Sequence, residues 1–167
     1  MINMKDTQDE QFIVVDEKDT LIGYKTRYQC HHDKSLIHRA VDVILFNKEG
    51  KIAMQKRSSQ KDLYPGYYCV TASGHVSKGE SYEETAHREL KEEMGVEGIS
   101  LKRKDTFIAR AEKETEMIAV FMGIYDGAFT FPSDEVESVH YFSQDEIKNI
   151  SPITPSSIES LKRIKWL

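Results

Sequence analysis

Between Gly74 and Val96 the chain reads GHVSKGESYEETAHRELKEEMGV, which brings Glu80, Arg88, Glu89, Glu92 and Glu93 into one short span. Ser81 followed by Glu84 is a capping-box pattern: the serine accepts from the third helical N–H and the glutamate reaches back. Gly95 stands where a helix ends in a left-handed residue. These signals predict a helix from about Tyr82 to Met94. At 100° per residue, Glu92, Glu89 and Glu93 share an arc of about 100°. Ala86, Leu90 and Met94 form an adjacent apolar stripe suited to packing on a sheet. Carboxylates crowded beside a buried stripe repel one another unless a cation neutralises them. Clustered hard oxygen donors favour Mg2+ or Mn2+. The competing reading of a Lys-Glu-Glu run is a solvated helix face.

The elements that must position this helix lie on both sides of it. Phe12–Asp16 and Leu21–Thr26 flank a polar turn and read as a hairpin. Ala40–Phe46 and Lys51–Gln55 flank Asn47-Lys48-Glu49-Gly50, a second hairpin with glycine at the turn. A short strand at Tyr68–Ala72 leads into Gly74. Asp105–Ala111, Met117–Tyr125 and Val136–Phe142 read as further strands. Ser143 with Glu146 caps a short helix. Thr154-Pro155 opens a last helix toward Trp166, with the cap and first-turn proline in the preferred order. Strands interleaved with a few helices indicate α+β layering around a mixed sheet.

The 167 residues suit a single domain, residues 1–167, with 1–10 as a flexible N-terminus. A net charge of −5 argues against a general nucleic-acid surface, which needs a basic stripe. The polar start lacks the apolar core of a signal peptide, and no apolar run reaches membrane-spanning length. Cys30 and Cys69, the only cysteines, read as reduced, buried thiols. A cytoplasmic protein without membrane or nucleic-acid partners is therefore expected. The oligomeric state is not legible.

The Gly74–Val96 spacing also resembles the Nudix box, GX5EX7REUXEEXGU with U aliphatic, at every fixed position. With the whole spacing present, the metal reading prevails over the solvated face. The resemblance implies an α/β/α sandwich with the box helix packed on a mixed central sheet. It further implies Mg2+ or Mn2+ held by Glu89, Glu92 and Glu93 near the Gly74 backbone, with Arg88 and Glu80 orienting those ligands.

From about Phe12 onward the chain is similar to the Nudix branch containing isopentenyl-diphosphate isomerases and isomerase-like hydrolases. That branch implies a second metal site at His31, His38, His75, Glu114 and Glu116, suited to Zn2+, Mn2+ or Mg2+. It also implies that Arg57 and Lys61 grip a diphosphate. On a straight strand, His31 and His38 would stand about 23 Å apart, so sharing a metal requires a folded-back loop at Asp33–Leu36. The isomerases carry a cysteine immediately before the glycine-histidine pair; here that residue is Ser73. A hydroxyl is a far poorer acid than a thiol. Cys69 would lie about 13 Å from Ser73 on a regular strand, too far to substitute. The expectation is metal-assisted hydrolysis of a diphosphate linkage in a small molecule, nucleoside-diphosphate-type or other. One box glutamate, Glu116 or Glu135 is the general base. Isomerisation, or diphosphate binding without catalysis, is the alternative. Tyr64, Tyr67 and Tyr68 read either as core or as pocket lining.

Overall fold

The computed structural model describes residues 7–167. Its strands are β1 (Gln11–Val15), β2 (Leu21–Thr26), β3 (Ile37–Phe46), β4 (Ile52–Arg57), β5 (Tyr68–Cys69), β6 (Ala72–His75), β7 (Lys102–Arg110), β8 (Thr115–Ile124) and β9 (Val136–Phe142). The helices are α1 (Arg27–His32), α2 (Tyr82–Met94), α3 (Gln144–Ile147) and α4 (Pro155–Arg163). Of the expected flexible N-terminus, residues 1–6 lie outside the described residues. Gln8 and Glu10 accept from the Tyr28 and Arg27 amides at the start of α1.

β3 is the hub of the sheet. It pairs antiparallel with β1, β4 and β6, and parallel with β8, where His38 stands opposite Glu116 and Asp42 opposite Val120. The sheet is therefore mixed. Alternation along β3 divides its side chains between two layers. Val41, Val43 and Leu45 pack with Ala86, Leu90 and Met94 of α2, so the expected apolar stripe is the face that docks. Ala40 and Ile44 face the other way, toward Ile147 of α3 and Leu161 of α4. Helices on both faces make the α/β/α sandwich. α2 begins on the Ser81–Glu84 capping box and ends at Gly95, whose φ of 67° is the left-handed value glycine adopts without strain.

Three local expectations change. Tyr68–Ala72 is not one strand but two, β5 and β6. The break is held by the Thr71 hydroxyl, which donates to Ala53 O at 2.6 Å and accepts from Leu45 N at 2.9 Å. His31 does not precede β3 through a loop alone. It sits on α1, whose Thr26–Gln29 capping box turns the chain back on itself before residues 33–36. The Thr154 side chain makes no capping hydrogen bond although its backbone occupies the cap position.

Candidate functional site

The β3–β6–β8 surface and the α2 helix enclose a cavity of about 550 Å3. Gly74, Glu80, Arg88, Glu89, Glu92 and Glu93 all line it. Arg88 is the organiser of the acidic wall. Its Nε donates to Glu80 Oε2 at 2.6 Å and its Nη2 to Glu80 Oε1 at 3.0 Å, a two-pronged grip. Its Nη1 donates to Glu89 Oε1 at 2.6 Å and to Glu92 Oε2 at 3.4 Å. Glu93 is held from the sheet side: the buried Gln55 amide donates to it and to Thr71 O. Burial raises the Glu93 pKa, and the Gln55 hydrogen bond opposes that rise. At position 74 a Cβ would stand 2.2 Å from Glu89 Cδ, so only glycine lets this carboxylate lie against the strand.

The second cluster adjoins the same cavity, which its members His75, Glu114 and Glu116 line. His31 comes from α1, His38 from β3, His75 from β6, Glu116 from the start of β8 and Glu114 from the residue just before it. The Nε2 atoms of His31, His38 and His75 approach Glu114 Oε2 at 3.0, 3.4 and 3.5 Å. Glu116 Oε1 lies 3.5 Å from His75 Nε2 and 3.9 Å from His38 Nε2. Among the described residues, one donor atom each from His31, His38, His75 and Glu114 falls within 4.8 Å of the others. His31 Nε2, His38 Nε2 and Glu114 Oε2 are buried without a hydrogen bond of acceptable geometry. Such orphaned atoms are costly, and their convergence is the arrangement that a shared cation would satisfy.

The electrostatics point the same way. Burial lowers the His38 pKa and takes His75 down to about 4, so both rings are neutral, as ligation requires. Burial also acts on Glu114, but the three imidazoles outweigh it and hold the carboxyl well below its ordinary range. Glu116 moves in the opposite direction, to about 8, through burial and then repulsion from Glu114. Phe12, fully buried, stacks on His75 and His38 at 4.4 and 5.4 Å and gives the cluster a dry floor.

Arg57 and Lys61 line the cavity and are themselves held by the protein. Arg57 donates twice to Leu63 O, and Lys61 Nζ pairs with the buried Glu135 at 2.9 Å. Tyr64 lines the cavity too, with its hydroxyl buried and its backbone at φ 51°. Cys30 and Cys69 are free and buried, and burial raises both thiols to about 12. Ser73 lies on the cavity wall, opposite Asp42 across the β3–β6 ladder.

Sequence reasoning missed four contributors: Phe12, Arg27, Asp42 and Gln55. Arg27 grips Asp62 with Nη2 at 2.9 and 3.1 Å, and its Nη1 lies 3.4 Å from His75 Nδ1. The pattern Thr26-x-x-Gln29 is a capping box and would have revealed α1 and hence Arg27. Asp42 and Gln55 carry no such signal, because a polar residue within an apolar strand declares its partner only once the sheet is built.

A family model for the NUDIX domain matches residues 36–164. Over 155 residues the chain is 32% identical to an uncharacterised Nudix hydrolase of Yersinia pestis, a match covering 92% of this chain and 84% of that protein. It is 30% identical over 162 residues to isopentenyl-diphosphate delta-isomerase 2 of Homo sapiens, covering 83% and 71% respectively. Among solved structures, DR0079 from Deinococcus radiodurans superimposes with a TM-score of 0.80 at 21% identity, covering 93% of this chain and 100% of that one. The Nudix domain of Shewanella oneidensis NrtR, complexed with ADP ribose, gives a TM-score of 0.66 at 16% identity over 83% of this chain and 94% of that one.

Proposed function

The chain belongs to the Nudix hydrolase family, and from that premise we propose that it cleaves a diphosphate linkage in a nucleoside-diphosphate-type or other small organic diphosphate, using divalent metal. The observation that supports this reading is the Arg88 hub, which gathers Glu80, Glu89 and Glu92 on the wall of the cavity that Arg57 and Lys61 also line.

The donor set fits a hard cation. Glu89, Glu92 and Glu93 supply carboxylate oxygens, and Gly74 supplies main chain at a point where a side chain would displace Glu89. A bound Mg2+ or Mn2+ neutralises phosphoryl charge and lowers the pKa of water. Arg88 and Glu80 position Glu89 and Glu92 rather than touch substrate. Arg57 and Lys61 bring positive charge to the diphosphate. Glu135, buried on the cavity wall, is a carboxylate acceptor for the proton of an attacking water, whereas Glu116, raised to about 8, would serve only once ionised. The imidazoles of His31, His38 and His75, with Glu114 and Glu116, fit Zn2+ or Mn2+ as a second centre.

That second centre also favours an isomerase reading, since the family branch uses such a set for carbon chemistry. Proton transfer at carbon needs an acid of suitable pKa. Ser73 stands where the isomerases place a thiol, so hydrolysis is the better fit. We take the substrate to be a small molecule met in the cytoplasm. Among the described residues no helix is long and apolar enough to cross a membrane. The test is a panel of nucleotide sugars, dinucleotides, nucleoside diphosphates, coenzymes and prenyl diphosphates assayed with Mg2+ and Mn2+. Metal-dependent release of a phosphorylated product is expected from at least one class. Failure to hydrolyse any of them overturns the reading.

A further inference from the structure

α4 meets the cavity with its N-terminal turn incomplete. A threonine at the cap position ordinarily accepts from the second or third helical N–H. Thr154 has the required extended backbone, φ −60° and ψ 144°, yet its side chain makes no such bond. It is 4% exposed, its Oγ1 has no hydrogen-bond partner, and it lines the cavity together with Ser156.

Its own amide and the hydroxyls of Ser157 and Ser160 are engaged elsewhere. The Thr154 amide donates to Tyr68 O at 2.9 Å. Ser157 Oγ accepts from Val70 N at 3.0 Å, and Ser160 Oγ donates to Asp42 at 2.6 Å. The helix is therefore anchored along its length, and the buried Thr154 hydroxyl is left over. Burying an unsatisfied hydroxyl and forgoing a cap both cost stability. Proteins retain such local violations chiefly at functional sites.

The chemistry of the turn is that of a donor set. Pro155 removes one N–H, and Ser156, which lines the cavity, provides a first-turn main-chain donor with no acceptor within the helix. A helix N-terminus carries partial positive charge and favours anions. Much of the opposite wall is acidic, and Arg57 and Lys61 already bond to Leu63 O and Glu135. An incoming anion gains most from donors that carry no carboxylate partner.

We propose that the N-terminal turn of α4 is an anion subsite, in which the Thr154 hydroxyl and the main-chain N–H of Ser156 hold the oxygens of a terminal phosphate. The proposal rests on the diphosphate reading of the cavity and sharpens it. The favoured class is one whose diphosphate ends in a free phosphate, with three oxygens to offer, rather than one that bridges two organic groups.

Thr154→Val keeps the side-chain volume and removes only the hydroxyl. Calorimetric titration with inorganic pyrophosphate in Ca2+ should show affinity falling roughly 10- to 100-fold, the scale of one hydrogen bond to a charged group. Thr154→Ser should stay within about threefold. The Tm of Thr154→Val should be unchanged or higher, because an unpaired buried hydroxyl has been removed. In turnover, kcat/KM for a nucleoside diphosphate should fall with the affinity, and that for a dinucleoside diphosphate should not. Wild-type affinity in Thr154→Val, or a lowered Tm with equal losses in both variants, overturns the subsite. If Thr154→Val is silent while Glu93→Gln abolishes turnover, the subsite falls and the hydrolase reading stands. A wild type that neither binds nor cleaves any diphosphate removes both.

Discussion

The Ser160 hydroxyl donates to Asp42 Oδ2 at 2.6 Å, tying the last helix to the central strand at a buried point. Burial pushes the Asp42 carboxyl up to about 7, and the Ser160 hydrogen bond restrains that rise. The strand therefore carries a carboxyl that ionises far above its ordinary range.

Stability should respond to this group in a definite direction. In the unfolded chain Asp42 loses its proton near about 3.9; in the folded protein it keeps it to about 7. Between those values the folded state binds the extra proton, so stability falls as pH rises and the whole penalty is present above about 7. The penalty is on the order of 3–4 kcal/mol. Part of that penalty has already developed at pH 5, so Asp42→Asn should lose roughly 5–10 °C less in Tm than wild type between pH 5 and pH 8, in metal-free buffer. Parallel melting curves for the two proteins would remove Asp42 from this role.

Glu93→Gln keeps the shape and the oxygen that Gln55 contacts, but loses the charge. It should lower turnover by at least ~10²-fold if catalysis runs through a cation at the box. Circular dichroism and Tm should show the fold retained. Glu92→Gln should behave alike. Near-wild-type hydrolysis of the best panel substrate by either variant removes the box carboxylates from the metal site.

The histidine cluster should bind one equivalent of Zn2+ or Mn2+ independently of substrate. His38→Ala and Glu114→Gln should each weaken that binding by at least ~10-fold in chelator competition. X-ray absorption on the zinc form should show nitrogen ligands at about 2.0–2.1 Å. A stoichiometry of zero, or titrations that the variants do not alter, dissolves the second centre.

Ser73 separates the two chemistries. Wild-type protein should incorporate no deuterium from heavy water into isopentenyl diphosphate, and Ser73→Ala should keep most of the hydrolytic rate. Incorporation that depends on the enzyme and is lost in Ser73→Ala would falsify the hydrolase assignment in favour of a serine-based isomerase.

Much of the framework was legible because it is written in local chemistry. The Ser81–Glu84 box and Gly95 fix both ends of α2, and the Ala86, Leu90 and Met94 stripe fixes its docking face. The glutamates then follow by helical geometry alone. What escaped depends on contacts between residues distant in the chain. The Tyr68–Ala72 segment has strand composition throughout, yet Thr71 bonds sideways to Ala53 and Leu45 and splits it. Thr154-Pro155 has every mark of a capped helix start, but nothing in the local sequence reveals that the hydroxyl is left unused. Asp42 reads as an anomaly in an apolar strand until Ser160 is brought against it.

The parallel pairing of β3 with β8 sets His38 directly opposite Glu116, although β4, β5, β6, α2 and β7 are all synthesised between them. Parallel pairing requires a long crossover and is slow to close, because the loop entropy is lost before the contacts reward it. The histidine cluster cannot assemble until that closure has occurred. Metal capture during refolding should therefore lag collapse and helix formation and keep time with the zipping of β3 and β8, making a bound ion a reporter of the slowest topological step in the fold.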